Sequence, residues 1–174
     1  HIHRPGIAVG GHCIPVYPRL YLAGDPDATV VSAARAANAA MPAYAVSRAA
    51  ALLGSLSGLR GAVLGAAYRG GVKETAFSGV FGVISALREA GAQVSVHDPL
   101  YSDGELAAFG WDAYHLGEPV DIAIIQADHA SYRDLAPADL PCVRLLVDGR
   151  TITSPEAWAG TPRITIGGGA SPAC

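Results

Sequence analysis

After residue 60 the chain alternates short apolar segments with segments of helical periodicity. Strands are predicted at 62–64, 93–96, 120–125, 144–147 and 164–166, because each is a short apolar run bounded by turn residues. Helices are predicted at 78–90 and from Ser102, as N-cap, through Ala108, with a helical turn near 132–135. This alternation is typical of parallel βαβ units with right-handed crossovers. The predicted fold class is therefore α/β, a Rossmann-like parallel sheet with helices on both faces.

The chain before residue 54 follows a different pattern, rich in alanine at helical spacing. A helix is predicted at 28–38, with Asp27 as its N-cap, and the helical pattern continues at 43–53. Pro42 is expected to end or kink this helix or to begin a second one, and Pro18 to interrupt any regular element around it. A long alanine-rich helix is more typical of a packing spine or a dimer surface than of catalysis.

Composition narrows the class of protein. With 51% hydrophobic and 16% charged residues, the 174-residue chain can bury a core as one domain, or one domain plus an appendage. A net charge of −3 argues against a general nucleic-acid binder, and no apolar run reaches membrane-spanning length. Cys13, Cys142 and Cys174 are too few and too widely spaced for a disulfide framework or a metal site. A reduced, cytoplasmic location is expected, and Cys142 is expected to be buried.

The candidate chemistry lies in residues 4–15, where a glycine pair precedes His12 and Cys13. Glycines permit positive φ, and bare N–H groups in such a turn bind anionic oxygens. Cys13 is then either an inert, buried thiol in a glycine-rich loop or a nucleophile activated by its surroundings. His12 is interpreted as a residue that shapes the loop rather than as a base.

Polar residues also follow the predicted strands, at the edge of the sheet where such folds bind ligands. They are Tyr68, Arg69, Asp98, Asp128, His129 and Arg150. Asp98, before Pro99, is interpreted as a turn residue, and Asp128 with His129 as a local turn network. Because no complete G-x-G-x-x-G follows the first strand, dinucleotide binding is not predicted for this part of the chain.

Several collinear motifs together resemble the nucleotide-sugar 6-dehydrogenases of the UDP-glucose, GDP-mannose and UDP-N-acetylmannosamine type. They are the RPG and GGHCIP segments within 4–15, RAAN and MP within 35–42, VLGAAYR at 63–69, GAQV and HDP within 91–99, and VDGR at 147–150. The histidine before the cysteine and the isoleucine after it are more similar to the N-acetyl-hexosamine branch.

The resemblance implies an enzyme of three parts: an amino-terminal NAD-binding domain, a helical dimerisation region and a carboxy-terminal UDP-binding domain. Residues 1–56 would then hold the cysteine loop and the end of the dimerisation region, and residues 57–174 the Rossmann-like UDP-binding domain. The NAD domain would be absent from this chain, which alone is expected to be inactive. The implied partners are a UDP-sugar and a second copy in a homodimer.

The implied reaction oxidises the C6 alcohol of a UDP-sugar to a carboxylate with NAD, through a thioester on Cys13. The substrate-binding positions that the resemblance implies are Arg4, Pro5, Gly6, Ile7, Ala8, Val9 and Gly10, largely through backbone, with Tyr68, Arg69 and Arg150. The forked donor of an arginine suits a diphosphate. The alternative function is a non-catalytic module for UDP-sugar binding or dimerisation.

The chain departs from the family pattern at two positions. Tyr17 stands where the family usually has an aspartate that helps to activate the hydrolytic water, and Ala76 where it has an arginine near the cofactor. Tyr17 therefore predicts either that another base hydrolyses the thioester or that the enzyme is weakened. Ala76 predicts an altered cofactor geometry.

Overall fold

The computed structural model describes residues 6–167, which contain four α-helices, two 3-10 helices and six strands. The helices are α1 (Cys13–Gly24), α2 (Thr29–Leu53), α3 (Val80–Glu89) and α4 (Asp103–Ala108), with 3-10 helices at Ala130–Tyr132 and Pro137–Asp139. The strands are β1 (Arg60–Leu64), β2 (Gln93–His97), β3 (Asp112–Ala113), β4 (Ile122–Ile125), β5 (Leu145–Asp148) and β6 (Arg163–Thr165).

All six strands are parallel, in the order β3-β2-β1-β4-β5-β6. The chain moves outward from β1 to β3 and then returns to place β4 on the other side of β1. The crevice beyond the carboxyl ends of β1 and β4 is therefore the position at which such sheets bind ligands. The predicted α/β class is confirmed.

Side chains of the central strands alternate between two cores, as the twofold period of a strand requires. Val63, Ile124 and Val147 face the first core, which α2 and α3 cover. Leu64 and Ile125 face the second core, which the 3-10 helices and Trp158 cover. The sheet is thus buried on both faces, which explains why its strands read as continuous apolar runs.

Both prolines expected to disturb helices lie inside them. Pro18 lies within α1 and Pro42 within the 25-residue α2, so the interruption expected at Pro18 is wrong. A single internal proline removes one backbone hydrogen bond, which tertiary packing can offset. For Pro42 that packing is visible, because a Cβ at Gly82 of α3 would lie 2.9 Å from its ring.

Other details of the prediction are also corrected. Asp27 is not the N-cap of α2, since the capping position is Ala28 and no side chain bonds there. Strand β3 was not predicted, because two residues cannot show an alternating pattern. Cys142 is exposed, at φ 68°, whereas burial was expected. Ser102 does cap α4, through a capping box with Glu105. No helix within residues 6–167 is long and apolar enough to cross a membrane.

Candidate active site at the carboxyl edge of the sheet

The segment of residues 6–11 lies across the carboxyl edge of the sheet. Ile7 is fully buried, and a Cβ at Gly149, just after β5, would lie 2.5 Å from its side chain. The Val9 backbone N–H donates to Asn38 Oδ1 of α2 at 2.8 Å, and Asn38 Nδ2 donates to the Val9 carbonyl at 3.3 Å. The segment is therefore fixed to the sheet at one point and to α2 at another.

The glycine pair lies against the loop that follows β1, residues 65–78. The Gly11 N–H donates to the Ala76 carbonyl at 2.8 Å, and Gly11 has φ +90°, which favours glycine. A Cβ at Gly10 would lie 2.6 Å from the Phe77 carbonyl oxygen and 2.7 Å from Tyr68 Cβ. The N–H groups of Val9 and Gly11 are thus already bonded within the protein, and the expected binding of anionic oxygens does not apply to these two groups.

Cys13 is the first residue of α1 and is exposed, so it is not buried as one of the two interpretations expected. One turn later, Tyr17 contacts Cys13, and the hydrogen bond and charge of the cysteine raise the pKa of Tyr17. An apolar groove of about 400 Å³ adjoins the thiol, lined by Cys13, Ile14, Tyr17, Pro18, Tyr21 and Val31.

Glu74 is a residue of this site that the sequence did not single out. It lies in the loop after β1, and its Oε2 is 3.5 Å from His12 Nε2. Its Oε1 accepts the Ala76 N–H at 2.9 Å, and its carbonyl accepts the Tyr68 N–H at 3.0 Å. The only hint in the sequence is Ala76, two residues later, at a position that the family resemblance places near the cofactor, and it does not reveal that the Glu74 side chain reaches His12.

Asp98, at the end of β2, is buried and organises the beginning of the same loop. Its Oδ2 accepts the N–H groups of Ala66 and Ala67 at 2.8 and 3.2 Å and contacts His129 Nε2 at 3.1 Å. Burial alone would raise the pKa of Asp98, but hydrogen bonds, first of all that with His129, lower it below its ordinary value. Asp98 therefore does more than terminate a strand.

Asp128 and His129 continue this network across the loop rather than within a local turn. Asp128 Oδ1 accepts the Gly70 N–H at 2.9 Å, and His129 Nδ1 accepts the Gly71 N–H at 3.3 Å. The loop after β1 is thus held from β2 and from β4 at once. The expected local network is corrected to a long-range one.

The sequence-derived binding residues fall into three groups. The first group lies along the carboxyl edge of the sheet and consists of Gly6, Ile7, Ala8, Val9, Gly10, Tyr68 and Arg150. The second is Arg69, which is exposed, with its guanidinium 5.9 Å from the centre of the Tyr68 ring. The third, Arg4 and Pro5, lies outside the described residues, as does Cys174. Ile7 is fully buried, so in this structure it offers no surface to a ligand and anchors the segment instead.

Arg150 lies against Gly6, at the beginning of the segment of residues 6–11. Its Nη2 lies 3.3 Å from Asp128 Oδ2, and a Cβ at Gly6 would lie 2.5 Å from Nη1. Its Nε is buried and has no acceptor among residues 6–167. A buried donor without an acceptor is uncommon in folded proteins.

The residues after β1 do not fit a dinucleotide such as NAD. A Rossmann site places pyrophosphate on a helix that begins directly after the first strand, and an acidic side chain at the end of the second strand on the ribose. Here α3 begins only at Val80, and the acidic side chain, Asp98, is already engaged by Ala66, Ala67 and His129.

Comparison with known proteins agrees with this architecture. The model of the UDP-glucose/GDP-mannose dehydrogenase family, UDP binding domain, matches residues 62–155. The chain is 28% identical over 167 residues to the UDP-N-acetyl-D-mannosamine dehydrogenase of Methanocaldococcus jannaschii, covering 91% of this chain and 38% of that protein. The corresponding protein of Methanococcus maripaludis is 30% identical, with 98% and 42% covered.

Solved structures show the same relationship. The UDP-D-ManNAc dehydrogenase of Pyrococcus horikoshii has a TM-score of 0.76 at 28% identity, with 95% of this chain and 40% of that chain covered. A UDP-glucose dehydrogenase of Pyrobaculum islandicum has a TM-score of 0.71 at 27% identity, with 84% and 35% covered. The chain therefore spans about two fifths of the length of the curated relatives it matches.

Proposed function

Because the chain belongs to the UDP-glucose/GDP-mannose dehydrogenase family, we propose that it is the carboxy-terminal part of an NAD-dependent enzyme that oxidises a UDP-sugar at C6 to the carboxylate. One observation carries the proposal: residues 6–11 connect the ligand-binding edge of the sheet directly to Cys13, an exposed thiol at a helix amino terminus. A nucleotide held at that edge would extend its sugar toward the thiol.

In this proposal residues 57–174 are the UDP-binding domain, and residues 1–56 hold the cysteine loop and the end of the dimerisation region. Since the described residues do not fit NAD, the cofactor would bind a domain outside this chain, where it would accept hydride from the sugar. The relatives, of which this chain covers 38–42%, leave room for such a domain.

The nucleotide would lie against Tyr68, Arg69 and Arg150. The half-buried ring of Tyr68 lies beside the segment of residues 6–11. Arg150 has a buried Nε–H without an acceptor among the described residues. Two phosphates would satisfy the arginines. The relatives named for UDP-N-acetyl-D-mannosamine favour an N-acetyl-hexosamine as the sugar.

Cys13 would supply the nucleophile. Its thiolate would add to the C6 aldehyde as a thiohemiacetal, and loss of hydride from that carbon would leave a thioester, which water converts to the acid and the free thiol. A cysteine suits both steps, since a thiolate attacks carbonyls readily and a thioester is hydrolysable.

The test is NADH formation by the full-length protein with UDP-N-acetylmannosamine and with UDP-glucose. Cys13→Ser should lower turnover by roughly 10³-fold or more, as loss of a covalent nucleophile does. Cys142→Ser is the matched control, because Cys142 is also exposed but lies far from the glycine pair in sequence. Its turnover should equal that of the unaltered protein. Equal turnover in the Cys13 variant, or no NADH with any UDP-sugar, would contradict the proposal.

A further inference from the structure

The imidazole of His12 faces a carboxylate that the protein holds in place. His12 Nε2 and Glu74 Oε2 are 3.5 Å apart, and His12 is the residue directly before Cys13. Glu74 cannot turn away freely, because its Oε1 accepts the Ala76 N–H at 2.9 Å. The neighbouring bond from the Gly11 N–H to the Ala76 carbonyl, at 2.8 Å, fixes the backbone before His12 to the same loop. Glu74 and the backbone before His12 are thus held by the same loop, while both side chains remain exposed to solvent.

This contact favours one tautomer of the neutral imidazole. A carboxylate only accepts hydrogen bonds, so the tautomer with its hydrogen on Nε2 is the one that suits the neighbouring Glu74. The lone pair of Nδ1 is then free. A carboxylate on one nitrogen and a free lone pair on the other is the arrangement of a general base, and Glu74 would stabilise the imidazolium that forms.

Tyr17 does not provide a competing base. It stands one turn after Cys13, at the place where the family usually has an aspartate, and contact with that cysteine raises the pKa of its phenol. A phenol titrates far above neutral pH even without such a shift. It therefore keeps its proton at the pH where a thioester must be hydrolysed.

We propose that His12, oriented by Glu74, is the general base that hydrolyses the acyl thioester on Cys13. Nδ1 takes a proton from water as the water oxygen bonds to the thioester carbon. The tetrahedral intermediate then breaks its carbon–sulfur bond, and the imidazolium returns the proton to the leaving thiolate. The products are the carboxylic acid and the Cys13 thiol, so atoms and charge balance. The inference relies on the proposed function only for the identity of the acyl group.

The charged and titratable groups on the adjoining elements have other partners or a different role. On α1, Cys13 holds the acyl group, Tyr17 stays protonated, and the Arg19 guanidinium lies 5.4 Å from the centre of the Phe77 ring. On the loop after β1, besides Glu74, Lys73 pairs with Glu105 and Arg69 lies over the Tyr68 ring. The group left to take a proton from water is therefore His12.

The experiment forms the thioester without cofactor or sugar. The full-length protein is acetylated with p-nitrophenyl acetate, and loss of the acetyl group is followed by intact mass spectrometry, with Cys13→Ser giving the background from other cysteines. His12→Gln should slow deacylation of Cys13 by about 10²-fold, the usual contribution of a general base. Glu74→Gln keeps an oxygen for the Ala76 N–H and should slow it less. His115→Gln, at another exposed histidine paired with carboxylates, is the matched control and should leave the rate unchanged.

A pH profile separates a base from a merely structural residue. Deacylation of the unaltered protein should rise with pH and then level off, as a reaction that needs a general base does. The His12→Gln protein should lack that step, and hydroxylamine should release its acetyl group normally, which shows an intact thioester. Equal deacylation rates, or an unchanged pH step in the variant, would overturn the inference while leaving the proposed function intact. Failure to reduce NAD with a UDP-sugar would overturn only the proposed function.

Discussion

Asp98 shows how much a single buried carboxylate does at the edge of this sheet. It is 3% exposed and accepts hydrogen bonds from the backbone of Ala66, Ala67 and Leu100 while contacting His129. The loop that begins at residue 65 carries Tyr68 and Glu74. The positions of Tyr68, beside the place proposed for the nucleotide, and of Glu74, beside His12, therefore depend on one side chain that need not touch the substrate.

Replacing this carboxylate should destabilise the protein. In Asp98→Asn the charged acceptor is lost and an amide N–H₂ is placed among backbone donors, so the free energy of unfolding should fall by about 2–3 kcal/mol. Asp134→Asn, at an exposed position, is the matched control and should change it little. Urea unfolding measures both, and equal midpoints would show that the Asp98 network contributes nothing.

The same residue predicts a dependence of stability on pH. The pKa of Asp98 is lowered in the folded protein, so its contribution is complete above the ordinary carboxyl pKa of about 3.9 and is lost as pH falls through the lower, folded value. The difference in stability between the unaltered protein and Asp98→Asn should be constant near neutral pH and shrink below about pH 4. A difference that grows in acid would contradict the direction of the shift.

At this scale the sequence predicts residue types but not their partners. Polar residues directly after apolar strands were predictable at Asp98, His129 and Arg150, because parallel strands end at a common edge. The contacts of Glu74 were not predictable from the sequence, because they form only when the loop after β1 folds back onto the glycine pair. That fold is decided by Gly10 and Gly11, at which a side chain would collide with Tyr68 or Phe77.

Among the elements, the contact between α2 and α3 decides how the amino-terminal region is attached. Pro42 of α2 is buried against Gly82 of α3, at a point where a Cβ would lie only 2.9 Å from the proline ring. Small residues allow helices to approach closely, and Ala45 and Ala49 continue this contact. The proline that the sequence led us to treat as a break or kink is therefore part of a packing interface.

A matched pair of glycine substitutions tests this interface. Gly82→Ala should destabilise the protein by about 1–3 kcal/mol, because the new methyl group forces α2 and α3 apart. Gly104→Ala, in α4, has no atom within 4 Å of the new Cβ and should be neutral or stabilise by up to about 1 kcal/mol, the helix preference for alanine over glycine. Thermal unfolding of the two proteins would contradict the packing argument if Gly82→Ala were as stable as Gly104→Ala.

Element type was predictable where hydrophobic period and length agreed, as in β1, β2, β4 and α3. The prediction at Pro18 fails because intrinsic preference is a weak term beside tertiary packing. Strand β3 is too short to carry a pattern, and only its pairing with β2 identifies it.

For the whole molecule, the first half of α2 is largely exposed. Val30 is 80% exposed, and the buried residues of the helix begin only at Pro42. We propose that this half contributes to a homodimer of the full-length protein. The dimerisation region that the family resemblance implies here stays a prediction.

Charge at this surface should weaken the dimer. Burying a valine side chain contributes about 1.5–3 kcal/mol, so Val30→Glu should raise the dissociation constant by roughly 10-fold or more. Leu116→Glu, at a residue that is 40% exposed, is the matched control. Sedimentation equilibrium of the full-length protein measures both, and an unchanged dimer in Val30→Glu would exclude this half of α2 from the interface.

The loop after β1 has one more consequence for the choice of substrate. Its first half presents Tyr68 to the place proposed for the nucleotide, and its second half braces His12 through Glu74. A nucleotide that rests on Tyr68 would therefore also steady the residues beside the thiol. The same loop would therefore connect the two ends of the proposed substrate, the nucleotide at Tyr68 and the acyl group on Cys13.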